Sequence, residues 1–282
     1  MGCIYAIVAV GFSIIYGGTQ VINFAQGEFV MIGAMVAAVL LAKYSLLVAF
    51  PVAILAGCVT GAAFALCVLL PLKKASVLTL VIMTIGASIL LQGLAQLFWG
   101  EQALKVPFFT GLPDGRDRVF SLLGAQIGAQ QLWVIGVTIV LVIGTHLFFK
   151  YTLIGRAMRA CSMNAAGAKL VGISVRKMIV LSFVMAAGLG AVAGVTVSPQ
   201  SYALCTMGTG LGLKGFCAAV LGGLGNFGGG IAAGVLLGII EAVIGLIIPA
   251  VSDYKDAVAF VILLVVLLVK PDGLLARKKA VA

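Results

Sequence analysis

Residues 21–29, VINFAQGEF, place two amides and one carboxylate between runs that are apolar enough to lie in lipid. Asn23, Gln26 and Glu28 are costly to bury unless they find hydrogen-bond partners. One interpretation is a tight loop at the membrane interface, with Glu28 as a helix cap. The other is a polar break packed inside the protein, where Asn23 and Gln26 bond backbone groups and Glu28 opens the next helix at the positive end of its dipole. The residues leave both open.

Glu241 is a second acid within an apolar run. At about 100° per residue, Gly234, Gly238 and Glu241 lie on one face of a helix, so the carboxylate is expected to face protein. A carboxylate near mid-membrane costs at least about 2.5–3.5 kcal/mol, which requires a partner or a wet cavity. A hydrogen-bond anchor and a role in a pathway both fit.

The sequence contains no set of residues that would carry covalent chemistry. The six cysteines are scattered without a C-x-x-C pair, and the lone His146 lies near the end of an apolar run, so we expect no disulfides and no metal site. Residues 223–228 match G-x-G-x-x-G, but a glycine-rich apolar run follows, which favours a tight turn over a dinucleotide site. We expect no catalytic residues and no cofactor.

Composition assigns the chain to the membrane. Of its 282 residues, 63% are hydrophobic and 9% are charged, whereas soluble domains carry about 25% charged residues. Segments of about ten residues in which apolar and polar residues alternate, as is typical of a membrane barrel, do not occur. The net charge is +10, and the basic residues cluster in short segments between apolar runs. This distribution is explained by the orientation of membrane segments and does not indicate binding of nucleic acid.

The apolar runs predict an all-α bundle with about eight or nine membrane segments. Their predicted bounds are 2–17, 28–42, 46–70, 76–99, 131–149, 178–197, 213–224, 230–249 and 257–269. The run at 213–224 is short for a full span and favours half a helix. No basic n-region or cleavage site precedes residue 28, so we expect no cleavable signal peptide.

Basic residues orient the segments. Residues 150–177 contain six basic residues and no acid, Lys73 and Lys74 mark an earlier turn, and Lys270, Arg277, Lys278 and Lys279 mark the tail. The positive-inside rule places 71–75, 150–177 and 270–282 in the cytoplasm, and the charge-balanced loop 100–130 outside. The C-terminus is therefore predicted to be cytoplasmic.

Glycines repeat every four residues in three of the runs. The longest repeat comprises Gly230, Gly234 and Gly238, and shorter ones occur at 57–61 and 190–194. Such ridges allow helix backbones to approach closely in lipid. We therefore predict helix–helix contact along the triple repeat.

Residues 155–177, GRAMRACSMNAAGAKLVGISVRK, contain the helix-competent core ACSMNAAGAKLVG, which ends at Gly172 as a candidate C′ residue. A solvated basic loop would not need this pattern. A short amphipathic helix parallel to the membrane would suit docking into the groove of a partner.

Four blocks give the chain a specific resemblance. They are GCIYAIVAVGFSIIYGGTQVINFAQGEFVMIGA at 2–34, GRAMRACSMNAAGAKLVGISVRK at 155–177, LKGFCAAVLGGLGNFGGGIAAGVLLGIIE at 213–241 and VKPDGLLARKK at 269–279. In these blocks the chain resembles the integral membrane subunits of bacterial ABC importers for branched-chain amino acids. Members of that family usually carry further residues before the first block, so the resemblance implies that this chain starts inside its first membrane helix and leaves the N-terminal topology open.

The resemblance implies a multi-pass permease of the inner membrane, with residues 1–282 as a single transmembrane domain embedded in the lipid bilayer. Its implied partners are a second, related permease subunit, two cytoplasmic ATPase subunits and a periplasmic solute-binding protein. The loop at about 150–177 would meet an ATPase, and the candidate coupling residues are Arg156, Arg159, Asn164, Ala165, Ala168 and Gly172.

For such a permease we expect alternating access driven by the ATPases. Thr84, Ser88, Gln92 and Gln96 repeat every four residues, so this polar stripe either lines the path or holds helices together. The candidate path or polar break comprises Asn23, Gln26, Glu28, Ser88, Gln92 and Glu241. A secondary transporter or channel, a membrane-embedded enzyme, and a permease for urea, amides or a sugar are the alternatives.

Overall fold

The computed structural model describes residues 1–71, 75–110, 117–122, 125–247, 255–270 and 273–274. Within these ranges the chain forms eleven α-helices and one two-stranded sheet. The helices are α1 (Gly2–Thr19), α2 (Gln26–Leu41), α3 (Leu46–Phe64), α4 (Val77–Trp99), α5 (Ala129–Tyr151), α6 (Leu153–Met163), α7 (Ala165–Leu170), α8 (Val175–Ser201), α9 (Met207–Leu221), α10 (Phe227–Ile247) and α11 (Lys255–Val269). The last turn of α3 widens into a π-helix over Ala65–Leu69.

Six helices in these ranges, α1, α3, α4, α5, α8 and α10, are long and apolar enough to cross a membrane. The helices α2, α9 and α11 are apolar but shorter. Each of the nine predicted apolar segments corresponds to one of these nine helices, and the prediction of a polytopic helical bundle is confirmed. The α9 helix begins at Met207, earlier than predicted, and at about 1.5 Å per residue its 15 residues span about 22 Å.

Some of the predicted features lie outside the described residues. These are Lys73 and Lys74, residues 111–116 of the loop predicted to face outward, and the basic tail with Arg277, Lys278 and Lys279. The last residues of the predicted segment 230–249 also lie outside them.

The helix α8 is the centre of the bundle, in contact with α1, α2 and α3. At the predicted glycine ridge 190–194, a β-carbon on Gly194 would collide with the carbonyl oxygen of Val30 in α2. At the ridge 57–61, a β-carbon on Gly61 would lie 2.6 Å from the carbonyl oxygen of Phe183 in α8. The backbones of α2 and α3 therefore touch the backbone of α8 directly. This close approach maximises dispersion contacts, which matter because lipid provides no hydrophobic drive between helices.

The helices α4 and α5 lie at the edge of the bundle. In α4 the buried residues are Leu80, Thr84 and Ala95, and most other side chains are exposed and apolar. A cavity of about 650 Å³ lies between α3, α5 and α8, with Phe50, Trp133 and Val192 in its wall. The edge helices are thus held by fewer contacts than the centre.

Two strands that were not predicted, β1 (Val119–Leu122) and β2 (Ala125–Gly128), pair antiparallel, and β2 leads into α5. The buried Gln130 donates from Nε2 to the carbonyl oxygen of Thr196 in α8 at 2.9 Å and accepts at Oε1 from the N–H of Phe109 at 3.3 Å. The Gln130 side chain thus connects Phe109, in the loop before β1, to the central helix α8.

We predict that Gly194→Ala lowers the thermal midpoint of the protein, because the added methyl overpacks the contact between α8 and α2 at a cost of about 1–3 kcal/mol. The measurement is size-exclusion chromatography with fluorescence detection after heating in detergent. Gly86→Ala is the matched control, because a β-carbon there meets nothing within 4 Å. An equal response of the two variants would contradict the packing role of Gly194.

Candidate functional site

Residues 20–25 form an irregular link between α1 and α2, and Val21, Asn23 and Ala25 in it are buried. The side chain of Asn23 is 2% exposed, and its Oδ1 accepts a hydrogen bond from the N–H of Ala25 at 3.2 Å. The N–H of Phe24 donates to Thr84 Oγ1 of α4 at 3.3 Å. The N–H groups of Phe24 and Ala25 are thus satisfied by a neighbouring and a local side chain, as burial in a membrane protein requires, whereas Nδ2 of Asn23 has no partner among the described residues.

Gln26 begins α2 and is fully buried. Its Nε2 donates to the carbonyl oxygen of Ala186 in α8 at 3.1 Å, while its Oε1 has no partner. Its side chain lies against Gly11 of α1, where a β-carbon would collide with the amide. The amide therefore ties the start of α2 to the central helix.

Glu28 lies in the first turn of α2 and is 1% exposed. Its Oε1 accepts a hydrogen bond from Ser88 Oγ of α4 at 2.9 Å and a long one from Thr209 Oγ1 of α9 at 3.5 Å. Its Oε2 is buried without a partner. The carboxylate thus lies between three helices and keeps one oxygen free.

The polar stripe of α4 faces this link. Thr84 Oγ1 accepts from the link and also donates to its own helix at Val81, while Ser88 donates to Glu28. Gln92 Nε2 approaches the carbonyl oxygen of Cys205 at 3.5 Å, at the start of the turn before α9. The structure therefore places Asn23, Glu28, Ser88 and Gln92 along the contact between α4 and the body of the protein.

Glu241 belongs to a different cluster. Its Oε1 lies 2.8 Å from Lys214 Nζ of α9, and its Oε2 accepts a hydrogen bond from the Tyr5 hydroxyl of α1 at 2.8 Å. Lys214 Nζ also donates to the Tyr5 oxygen at 3.2 Å. Lys214 and Glu241 are 12% and 7% exposed. This pair is neutral overall, which offsets part of the cost of burying either charge.

The glycine ridge on α10 brings Glu241 to this position. Gly234 packs against the backbone of Ala6, and Gly238 packs against Gly2, so α10 and α1 touch along their backbones. A β-carbon on Gly230 would lie at ordinary contact distance, 3.4 Å, from the β-carbon of Ala9. Glu241 lies one helical turn beyond Gly238, so the close approach of α10 to α1 brings its carboxylate to the Tyr5 hydroxyl.

Three members of these clusters, Tyr5, Thr209 and Lys214, were not predicted as site residues. Lys214 had a signal in the sequence, because it is the one charged residue in the predicted apolar segment 213–224 and such a cation needs an acid. A hydroxyl such as Thr209 carries no comparable signal.

The predicted coupling segment forms two short helices, so the expectation of one continuous helix over ACSMNAAGAKLVG is wrong. Asn164 leaves the helical region at φ −152° and caps α7, accepting at Oδ1 from the N–H of Gly167 at 2.8 Å. An N-cap amide competes with continuation of the preceding helix. Gly172, at φ +82°, ends α7 as predicted, with its N–H donating to the carbonyl oxygen of Lys169.

The helix α6 is amphipathic. Its residues Met158 and Cys161 are buried. Arg159 Nη2 donates to the carbonyl oxygen of Phe149 at 2.7 Å, and Arg156 Nη2 donates to that of Tyr151 at 3.0 Å. Both guanidinium groups therefore cap the C-terminal end of α5, where the helix dipole favours positive charge.

The outer surface of α6 and α7 is apolar with a basic border. Met163, Leu170 and Val171 are 83%, 89% and 75% exposed. Ala165 is exposed, whereas Ala168 is buried. We call the surface formed by Met163, Ala165, Leu170 and Val171 the apolar loop surface. Apolar side chains of this size, exposed together, are typical of a docking surface.

We predict that Lys214→Met lowers the thermal midpoint strongly, because it leaves a buried carboxylate unpaired at a cost of about 3–5 kcal/mol. Combining it with Glu241→Met should recover most of this loss, since both charges are then removed. The measurement is a double-mutant cycle on thermal midpoints in detergent, with Lys43→Met on the exposed turn after α2 as control. Additive losses in the double variant would show that the two residues do not act as a pair.

Comparison with known proteins gives matches along almost the whole chain. The family model described as branched-chain amino acid transport system / permease component matches residues 1–267. The high-affinity branched-chain amino acid transport system permease protein LivH of Escherichia coli is 36% identical over 291 residues, covering 98% of this chain and 92% of that protein. BraD of Pseudomonas aeruginosa, named in the same way, is 37% identical over 296 residues, covering 98% and 93%.

A more distant relative is the ribose import permease protein RbsC of Escherichia coli, which is 30% identical over 273 residues, covering 93% of this chain and 81% of that protein. No solved structure matches the chain significantly. The family model and both high-affinity relatives extend through the polar link, the Lys214–Glu241 pair and the coupling segment. The chain therefore belongs to the family of branched-chain amino acid transport system permease components.

Proposed function

We propose that this chain is a permease subunit of an ATP-binding cassette importer that carries branched-chain amino acids across the inner membrane. The observation that carries the proposal is the similarity to two high-affinity branched-chain amino acid permeases over 98% of the chain. The helices long enough to span a membrane agree with that role. Residues 1–282 would act as one transmembrane permease domain.

The energy for transport would come from two cytoplasmic ATPase subunits, because the sequence contains no G-K-[ST] motif for nucleotide phosphates. A second, related permease and a periplasmic solute-binding protein would complete the complex. In this arrangement the binding protein selects the solute, and the permease provides a path that alternates between the two sides.

The contact with an ATPase would lie on the apolar loop surface. Three large apolar side chains are exposed there on two short helices, which suits insertion into a groove of a partner. Arg156 and Arg159 would hold these helices against α5, and Asn164 and Gly172 would set the ends of α7. Movement of the ATPase would then reach the membrane helices through α6.

The path would run beside the polar link, between α2, α4 and α9. Asn23, Glu28, Ser88 and Gln92 supply sparse polar groups there, which an amino-acid zwitterion needs once it leaves water. We assign Gln26 to the attachment of α2 to α8 and Glu241 to a structural ion pair, because each is engaged with another helix.

A sugar permease is the second candidate, favoured by the 30% identity to a ribose import permease. The two candidates differ in solute and share the architecture. A test of uptake with both solutes therefore separates them.

The proposed function predicts ATP-dependent uptake of leucine, isoleucine or valine, and not ribose, by proteoliposomes that contain this permease with its sister permease, the ATPases and the binding protein. Ala165→Glu should reduce uptake at least tenfold while the protein still inserts, because a charge on the apolar loop surface opposes docking. Radiolabelled solute and a membrane-fraction blot are the measurements.

Lys43→Glu is the matched control, since it places the same charge on an exposed turn away from the loop. Uptake of ribose alone would replace the solute assignment, and ion-driven uptake by the isolated chain would reject the importer. Normal uptake by Ala165→Glu would remove the coupling assignment alone.

The proposed topology places residues 150–177 and the C-terminus in the cytoplasm and residues 100–130 outside. We predict that a cysteine introduced by Met163→Cys, in a variant without native cysteines, reacts with a membrane-impermeant maleimide only after cells are opened. A cysteine introduced by Val119→Cys should react in intact cells, because Val119 is 57% exposed. The reverse labelling pattern would invert the topology.

A further inference from the structure

The two buried glutamates among the described residues differ in their counter-charge. Glu241 has Lys214 at 2.8 Å. Glu28 is buried more completely, yet in the described part of the chain no basic side chain lies within ion-pair distance of it. A buried carboxylate without a cation is expensive in a membrane protein, so it indicates a function.

Two features of the surroundings of Glu28 partly offset the cost of burying its anionic form. Glu28 lies in the first turn of α2, and its Oε1 contacts Thr209 in the first turn of α9, so the positive ends of two helix dipoles meet at the carboxylate. Ser88 adds a hydroxyl donor at 2.9 Å. These are partial charges and neutral donors, and they leave Glu28 without a full positive partner.

The free oxygen of Glu28 points to an external donor. All of the assigned donors bond Oε1, and Oε2 is buried with no partner. Oε2 lies beside the backbone of Gly208, where a β-carbon would come within 2.7 Å of it. A buried acceptor left open beside a residue without a side chain is the arrangement expected of a site that receives a donor from a ligand.

Of the three helices around Glu28, α4 packs least against the rest of the described protein. Ser88 belongs to α4, whose buried residues are Leu80, Thr84 and Ala95. The other walls belong to α2 and α9, which pack against each other and against α1. A small outward movement of α4 would therefore expose the carboxylate without disturbing the bundle.

We infer that Glu28 binds the ammonium group of the amino acid as it passes between α2, α4 and α9. The inference rests on the proposed function for the identity of the solute. An ammonium carries one full positive charge and three donors, so it can use Oε2 while Ser88 and Thr209 hold Oε1. Glu28 then recognises the feature shared by all amino acids, and the apolar walls accept side chains without selecting among them.

The test compares leucine with 4-methylpentanoate, which has the same carbon skeleton and carboxylate but no amino group. Saturation-transfer NMR would measure the binding of each to the assembled permease–ATPase complex in nanodiscs without the binding protein. The wild-type complex should prefer leucine, and Glu28→Gln should reduce that preference roughly 10- to 100-fold, as expected for the loss of a charge-assisted hydrogen bond.

Two matched controls accompany it. Ser88→Ala should weaken leucine binding, whereas Thr138→Ala, which removes a buried hydroxyl bonded only to its own helix at Val134, should not. Glu28→Gln should keep or raise the thermal midpoint because it removes an uncompensated charge, while Glu241→Gln should lower it. A lower midpoint for Glu28→Gln would show that the carboxylate has a structural role instead.

Two other results would overturn the inference. The first is a wild-type complex with no preference for leucine, and the second is an unchanged preference in Glu28→Gln. Failure of the proposed function has a separate signature, since proteoliposomes with wild-type protein would then take up no branched-chain amino acid at all.

Discussion

Close contact between helix backbones is the constraint on which the rest of this structure depends. Lipid offers no hydrophobic drive between helices, so attraction comes from dispersion at short range. The central helix α8 meets α2 at Gly194 and α3 at Gly61, and α10 meets α1 at Gly234. Among these closely packed helices an irregular link, residues 20–25, is buried, and its N–H groups at Ala25 and Phe24 are bonded by Asn23 and by Thr84 of α4.

The two buried glutamates among the described residues, Glu241 and Glu28, have different surroundings. Glu241 is engaged by a lysine and a tyrosine from two other helices, so each carboxylate oxygen has a partner and the cluster holds α1, α9 and α10 together. Glu28 has only hydroxyl donors and lies under the loosely held α4. Under the proposed roles, stability depends on Glu241 and transport on Glu28, so a change at one need not disturb the other.

Much of the fold could be predicted because membrane segments are marked by local composition, and the nine apolar runs correspond to nine helices. The polar break was one of two interpretations that residues 21–29 left open, and the burial of Asn23 and Glu28 agrees with it. The pairing of Lys214 with Glu241 and Tyr5 joins residues that are far apart in the sequence, and no local pattern of residues predicts it. The break at Asn164 was missed because alanine-rich flanks favour a helix, while the capping amide prevails locally.

The joint between α5 and α6 has a mechanical consequence. Arg159, Arg156 and Thr152 all bond carbonyl oxygens in the last turn of α5, with Thr152 donating to Phe148 at 2.7 Å. If α6 carries the proposed contact with an ATPase, this joint would pass a push on α6 to the whole of α5 instead of bending the chain between them.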